Sequence, residues 1–260
     1  NKSTIINPKG GNKMNKKLSV LIVDDDISLG DSLTDILDAK GYDVNVVTSG
    51  KEALATIDKN NFDVIFMDIR MPGMNGVETF MEVKKKSPHT SVVMITAFAD
   101  GDLITQARDE GALQILPKPL DLEKIIGFLK KQELLRTIFI VDDDITFCNS
   151  LKDAIELHSY NVTVVNSAQE AIDTFEQQNY GIVLLDLKLN GKSGMDVAED
   201  IKQKGFKCVM VMMSAFKKEF QKELDNSDQK FNFMEKPFEI DDLLQLLNEV
   251  SKKRLMKALV

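Results

Sequence analysis

The residues best equipped for chemistry in this chain are aspartates set at the ends of apolar runs. Asp24, Asp25 and Asp26 follow the run at 18–23, and Asp68 closes the run at 64–67. Thr96 follows the run at 92–95, and Lys118 follows the one at 114–116. Several carboxylates brought together repel one another unless a cation joins them. Hard oxygen ligands with room for water and phosphate oxygens suit Mg²⁺ best. Such an ion lets Asp68 stay ionised as a nucleophile and neutralises charge on an incoming phosphoryl group. Phosphoryl transfer asks a protein mainly for positioning and electrostatic stabilisation. Lys118 supplies a positive point charge, and Thr96 a hydroxyl donor to a phosphoryl oxygen.

The whole set occurs twice. Val23-Asp24-Asp25-Asp26-Ile27 returns as Val141-Asp142-Asp143-Asp144-Ile145, 118 residues on. The same offset carries Asp68 to Asp186, Thr96 to Ser214, and Lys118-Pro119 to Lys236-Pro237. Four landmarks at one spacing, with no insertion between them, mark a duplicated domain. Each copy is long enough to hold its own core, so a solenoid is excluded.

The elements that position these groups alternate in type. In the first copy, 18–23, 44–47, 64–67, 92–95 and 114–116 read as strands, nearly continuous in apolar residues as parallel strands covered on both faces are. Segments 28–39, 51–59, 77–86, 103–110 and 122–131 read as helices, the last with a stripe of Leu122, Ile125, Ile126 and Leu129. Five βα units with right-handed crossovers build a doubly wound sheet. In strand order 2-1-3-4-5 the first and third strands are neighbours, and ligands sit outside the carboxyl ends of the strands. Carboxylate, hydroxyl and ammonium groups therefore converge on one rim. The division expected is a disordered lead at 1–16, domains at 17–131 and 137–252, a short helical linker at 132–136 and a tail at 253–260. Segment 132–136 has no Gly, Pro or Ser, so a near-continuous helical connection and a semi-rigid pair of domains are expected. The last helix is expected at 243–250.

Charge and composition narrow the function. The formal net charge is −8. Residues 17–131 hold 13 Lys and Arg against 19 Asp and Glu, and residues 137–260 hold 15 against 21. Both halves are acidic, which argues against nucleic acid as a direct ligand. No apolar run reaches the length of a membrane span and no signal peptide opens the chain, so a cytoplasmic location without membrane insertion is expected. Cys148 and Cys208 read as buried thiols of a reduced compartment, and His89 and His158 as surface residues. The fragment Gly191-Lys192-Ser193 lacks the first glycine of a P-loop, because Asp186 stands in that place.

With these residues in register, both copies resemble response-regulator receiver domains. The pattern is an acidic pair (Asp24-Asp25, Asp142-Asp143), an aspartate ending the third strand (Asp68, Asp186), a hydroxyl after the fourth (Thr96, Ser214) and Lys-Pro after the fifth. Met71-Pro72-Gly73 and Gly76 match the loop that follows the phosphoacceptor. The resemblance implies an α/β fold of two flavodoxin-like (βα)5 doubly wound parallel-sheet receiver domains in tandem. It implies phosphoacceptors at Asp68 and Asp186, served by Thr96, Lys118, Ser214 and Lys236. Mg²⁺ would be held by Asp24, Asp25, Asp68 and the Arg70 carbonyl, and by Asp142, Asp143, Asp186 and the Lys188 carbonyl. The phosphoryl donor would be phosphohistidine on a sensor histidine kinase or a histidine phosphotransfer protein. Homodimerisation through the fourth and fifth helices is a further option.

The second copy departs from this pattern. Asn190 replaces Pro72, Gln229-Lys230 replaces Gly111-Ala112, and Phe233 stands at the family's switching aromatic position, where the first copy has Ile115. Phe98 and Phe216, two residues past each hydroxyl, are expected to shield the acyl phosphate, with Arg70 and Lys188 flanking it. The chain reads as a phosphoacceptor working through partner binding, without a kinase or output domain of its own. Residue 1 is Asn, so the chain reads either as a fragment, such as part of a hybrid sensor kinase, or as starting at Met14. Two alternatives stand beside this. A haloacid-dehalogenase-type phosphatase would use Asp24-x-Asp26, and a scaffold would keep one receiver inert.

Overall fold

The computed structural model describes residues 17–97, 101–215 and 231–257. The first copy contains β1 (Ser19–Val23), α1 (Ile27–Ala39), β2 (Asp43–Val47), α2 (Gly50–Ile57), β3 (Val64–Asp68), α3 (Gly76–Lys86), β4 (Ser91–Thr96), α4 (Asp102–Asp109), β5 (Gln114–Pro117) and α5 (Leu122–Leu135). The second contains β6 (Thr137–Val141), α6 (Ile145–Glu156), β7 (Asn161–Val165), α7 (Ala168–Phe175), β8 (Ile182–Asp186), β9 (Lys188–Leu189), β10 (Lys192–Ser193), α8 (Gly194–Gln203), β11 (Val209–Ser214), β12 (Asn232–Glu235) and α9 (Ile240–Lys257). The sheets are parallel, in the orders β2-β1-β3-β4-β5 and β7-β6-β8-β11-β12. This is the doubly wound 2-1-3-4-5 topology, built twice.

Sequence explains the layering. Every residue of β3 and of β8 is buried, as central strands with helices on both faces require. Edge strand β2 alternates exposed and half-buried positions instead. Leu21, Ile65, Met67 and Met94 face α2 and α3, while Val20, Ile22, Phe66 and Val93 face α1 and α5. The helices start where side chains satisfy their first free N–H groups. Asn75 and Glu78 form a reciprocal capping box on α3, and the Asp121 carboxylate accepts from the backbone of Glu123 and Lys124 on α5.

At the junction α5 runs to Leu135, and Arg136 alone separates it from β6. The Arg136 guanidinium donates to both carboxylate oxygens of Asp63, one at 2.6 Å. Asp63 also accepts from the Ser19 backbone N–H at 2.8 Å, and Gln132 donates to the Ser91 hydroxyl at 2.7 Å. From the second unit, Lys252 donates to the Pro88 carbonyl at 3.2 Å. Gly181 meets α5 so closely that a Cβ there would lie 2.1 Å from the Leu134 carbonyl oxygen. These contacts gather at the N-terminal ends of the strands in both sheets. The carboxyl edges therefore face away from the junction, and one apolar cluster runs through it from Leu18 to Leu255.

Two expectations need correction. The last helix does not stop near Val250 with a tail beyond. It spans Ile240–Lys257, because Leu243, Leu247, Val250 and Leu255 continue one buried stripe against α5 and α6. Of the two thiols, only Cys148 is fully buried; Cys208, just before β11, is half-buried. Among the described residues no helix is long and apolar enough to cross a membrane.

Candidate functional site

Parallel pairing of β1 with β3, and of β3 with β4, puts Asp24, Asp68 and Thr96 at one edge. Lys118 reaches that edge because its backbone N–H donates to the Thr96 carbonyl at 2.7 Å, just past β5. Its Nζ lies 2.5 Å from Asp68 Oδ2 and 2.8 Å from Asp24 Oδ2. Asp24 is fully buried and Asp68 nearly so, while Asp25 is exposed at the rim. Backbone donors orient both inner carboxylates: Asp26 N–H to Asp24 Oδ1 and Arg70 N–H to Asp68 Oδ1, each at 3.0 Å. Asp26 turns away to cap α1, accepting from Leu29.

The second unit repeats the arrangement. Lys236 Nζ lies 2.5 Å from Asp142 Oδ2 and 3.1 Å from Asp186 Oδ1, and its N–H donates to the Ser214 carbonyl at 2.9 Å. Asp144 N–H donates to Asp142 Oδ1 at 3.0 Å, and Asp144 caps α6. Local chemistry differs around Asp142, whose carbonyl accepts from the Asn166 side chain at 2.8 Å and from the Cys148 thiol at 3.5 Å. Burial pushes the Cys148 thiol up to about 12, and Asp142 adds to the shift.

The electrostatics of both sites follow from more carboxylates than ammonium groups. Burial lifts the Asp186 carboxyl above its ordinary value; Lys236 opposes this, and the charges of Asp142 and Asp143 add to it. Burial alone would lower both lysines. Paired carboxylates win, raising Lys118 through Asp24 and Asp68 and Lys236 through Asp142 and Asp186. Surplus negative charge in a half-buried cleft is what a divalent cation relieves.

The donor set fits such an ion. Ligand oxygens of Asp24, Asp25 and Asp68 lie within 4.8 Å of one another, as do those of Asp142, Asp143 and Asp186. Asp24 Oδ2 is buried and, although beside Lys118, accepts no hydrogen bond of good geometry. A hard cation on this oxygen would satisfy it. Arg70 and Lys188 are exposed beside the two phosphoacceptor candidates.

Glycine sets the distance between the nucleophile strand and the next helix. A Cβ on Gly76 would lie 2.0 Å from the Asp68 carbonyl oxygen, and one on Gly194 2.1 Å from that of Asp186. Only a residue without a side chain lets α3 and α8 start there. In the loop before them, Gly73 and Gly191 take φ of 80° and 86°. The exchange of Pro72 for Asn190 thus keeps the positive-φ position of the turn. The second loop goes further, pairing β9 with β10 across Asn190-Gly191. An Asn-Gly pair between extended residues is a hairpin signal that the sequence carried unread.

Ile115 and Phe233 take equivalent places, opposite Met94 and Met212, and both are half-buried. His89 and His158 are exposed. Phe98, Phe216 and Gln229-Lys230 lie outside the described residues. Sequence reasoning missed Phe147, whose ring centroid lies 4.5 Å from Lys236 Nζ. Its position, five residues beyond Asp142 in chain order, reads in the sequence only as helix packing.

Two five-stranded doubly wound sheets, each with an acidic cleft and a lysine at its carboxyl edge, define the class to which comparison points. The family model described as the response regulator receiver domain matches residues 20–130 and again 138–248. The chain belongs to this family, that of the receiver domains of two-component signalling. It is 30% identical over 189 residues to a response regulator receiver protein of Anaeromyxobacter sp. (strain Fw109-5), covering 71% of this chain and 77% of that one. It is 31% identical over 118 residues to sporulation initiation phosphotransferase F of Bacillus subtilis (strain 168), covering 45% of this chain and 94% of that protein. Of the transcriptional regulatory protein ZraR of Salmonella typhimurium, 36% identical over 115 residues, it spans 26% of the length and 44% of this chain. Among solved structures, chemotaxis response regulator CheY4 of Vibrio cholerae is 32% identical, covers 45% of this chain and 98% of its own, and gives a TM-score of 0.42. Receiver domains are phosphoacceptors that interact with histidine kinases or phosphotransfer proteins.

Proposed function

We propose that this chain accepts phosphoryl groups from phosphohistidine on Asp68 and on Asp186, and signals through partner binding from two receiver domains, 17–131 and 137–252. One observation carries the reading. In each unit a single lysine bridges the candidate nucleophile and the acid after the first strand, with a third carboxylate within 4.8 Å of both acids. Asp24, Asp25 and Asp68 with the Arg70 carbonyl, and Asp142, Asp143 and Asp186 with the Lys188 carbonyl, would hold Mg²⁺. When bound, that ion neutralises charge on the phosphoryl oxygens. A carboxylate oxygen of Asp68 or Asp186 bonds to phosphorus as the phosphorus–nitrogen bond of the donor breaks, and the imidazole nitrogen keeps the electron pair. Lys118 and Lys236 hold the charge of one phosphoryl oxygen, and the hydroxyls of Thr96 and Ser214 donate to another.

Against a nucleophilic Asp24 stands its full burial, whereas Asp68 keeps a small opening to the rim. No observation favours an inert second unit, since its charged groups match the first one for one. Incubation with acetyl phosphate and Mg²⁺, followed by intact-mass measurement, tests the proposal. A gain of two phosphoryl groups that disappears with EDTA is expected; no gain under any metal condition would remove it.

A further inference from the structure

The two lysines are not held alike. Lys118 Nζ lies closer to the candidate nucleophile (2.5 Å to Asp68) than to the neighbouring acid (2.8 Å to Asp24). Lys236 reverses the preference, at 3.1 Å from Asp186 and 2.5 Å from Asp142. The groups around each lysine differ in one respect that bears on this. Lys236 Nζ lies 4.5 Å from the ring centroid of Phe147, and Phe238 meets that ring edge-on at 5.9 Å between centroids. The corresponding residues of the first unit are Leu29 and Leu120, which pack on the core but offer no π face.

We propose that Phe147 is a positioning residue that holds the Lys236 ammonium toward Asp142 and away from Asp186, so that Asp186 accepts a phosphoryl group more slowly than it would with an aliphatic neighbour. This rests on Asp186 being the phosphoacceptor. A cation is attracted to the face of an aromatic ring by the ring quadrupole, and more strongly where water is partly excluded. Phe147 and Lys236 are both half-buried, so the attraction is not fully screened. On this proposal the ammonium advances from Asp142 and leaves the ring as it meets the oxygens of a phosphoryl group arriving on Asp186. An interaction made in the ground state and weakened in the transition state raises the barrier. The result is one duplicated chemistry with two different loading rates.

The experiment isolates the second site in an Asp68→Asn background and follows the initial rate of mass gain with acetyl phosphate and Mg²⁺. Acetate leaves with the electron pair of the broken phosphorus–oxygen bond as the Asp186 carboxylate bonds to phosphorus. Phe147→Leu is expected to raise the rate about three- to tenfold, the size of a partly desolvated cation–π contact. Phe147→Tyr keeps a π face and should leave the rate near the parent value. Phe238→Leu loses comparable packing while keeping the ring over Lys236, and should change the rate less than twofold or so. An unchanged or slower rate in Phe147→Leu overturns the proposal. So does an equal acceleration in Phe238→Leu, which would make the effect one of packing. If the Asp68→Asn protein gains no mass at all, the assignment of Asp186 as phosphoacceptor fails instead.

Discussion

Replacing Gly76 by alanine probes the link between fold and chemistry at its tightest point. The new Cβ would lie 2.0 Å from the Asp68 carbonyl oxygen, 2.8 Å from the Ile69 Cα and 2.9 Å from the Asp68 carbonyl carbon. Carbon atoms rest at about 3.5–4.0 Å, so backbone must move by roughly 1 Å, either at the start of α3 or at the end of β3. All three contacts are backbone, and no side chain can swing aside. Overpacking of this kind costs about 1–3 kcal/mol. The same displacement moves the carboxylate against Lys118, and a shift of about 1 Å at a reacting group costs on the order of 10²-fold in rate. Urea unfolding measures the first effect, and the initial rate of mass gain with acetyl phosphate in an Asp186→Asn background measures the second. Gly127→Ala is the control. It sits within α5 with nothing inside 4 Å of its Cβ position, and should stabilise by about 0.5–1 kcal/mol without slowing the reaction. A Gly76→Ala protein as stable and as fast as its parent would show that the close approach of α3 to β3 does not set the site.

Arg136→Ala removes a two-pronged ion pair whose side chains are only 18% and 17% exposed, leaving the Asp63 carboxylate, among the described residues, with the Ser19 N–H. Stability should fall by about 2–3 kcal/mol, the range for charge-assisted hydrogen bonds, and an unchanged urea midpoint would count against the junction described here. Asp25→Asn and Asp143→Asn should each weaken Mg²⁺ binding at their own site at least about tenfold by calorimetry, with no loss at the other site. Burial pushes Tyr42 up to about 12, with the nearby Glu133 carboxylate adding to the rise. Unfolded tyrosine ionises near 10, so the Tyr42 contribution is intact below pH 10 and lost as pH rises toward 12. Tyr42→Phe should flatten the loss of stability across that window, and an identical alkaline profile in both proteins would contradict it.

Much of this was readable in the residues, for physical reasons that also explain what was not. Central strands such as β3 and β8 show as unbroken apolar runs because both faces are covered. The fixed offset of 118 then carries Asp68, Thr96 and Lys118 onto their second copies without any structure. The caps on α1 and α6 are equally local, since Asp26 and Asp144 bond to residues three further along the chain. Contacts between distant segments leave no local pattern. Asp63 and Arg136 are 73 residues apart, and neither sits in a periodic context that announces the other. The end of α9 was misplaced because Lys252, Lys253 and Arg254 interrupt the apolar stripe before Leu255 resumes it. Phe147 escaped notice because a half-buried aromatic on a helix reads as packing until the ammonium 4.5 Å away is seen.

Asp68 and Asp186 are each proposed to accept one phosphoryl group. Intact-mass measurement after acetyl phosphate and Mg²⁺, on the parent chain, Asp68→Asn, Asp186→Asn and the double variant, tests this most directly. Two added phosphoryl groups are expected on the parent, one on each single variant and none on the double. Phosphorylation that survives in the double variant would contradict this assignment and move the nucleophile elsewhere in the cleft.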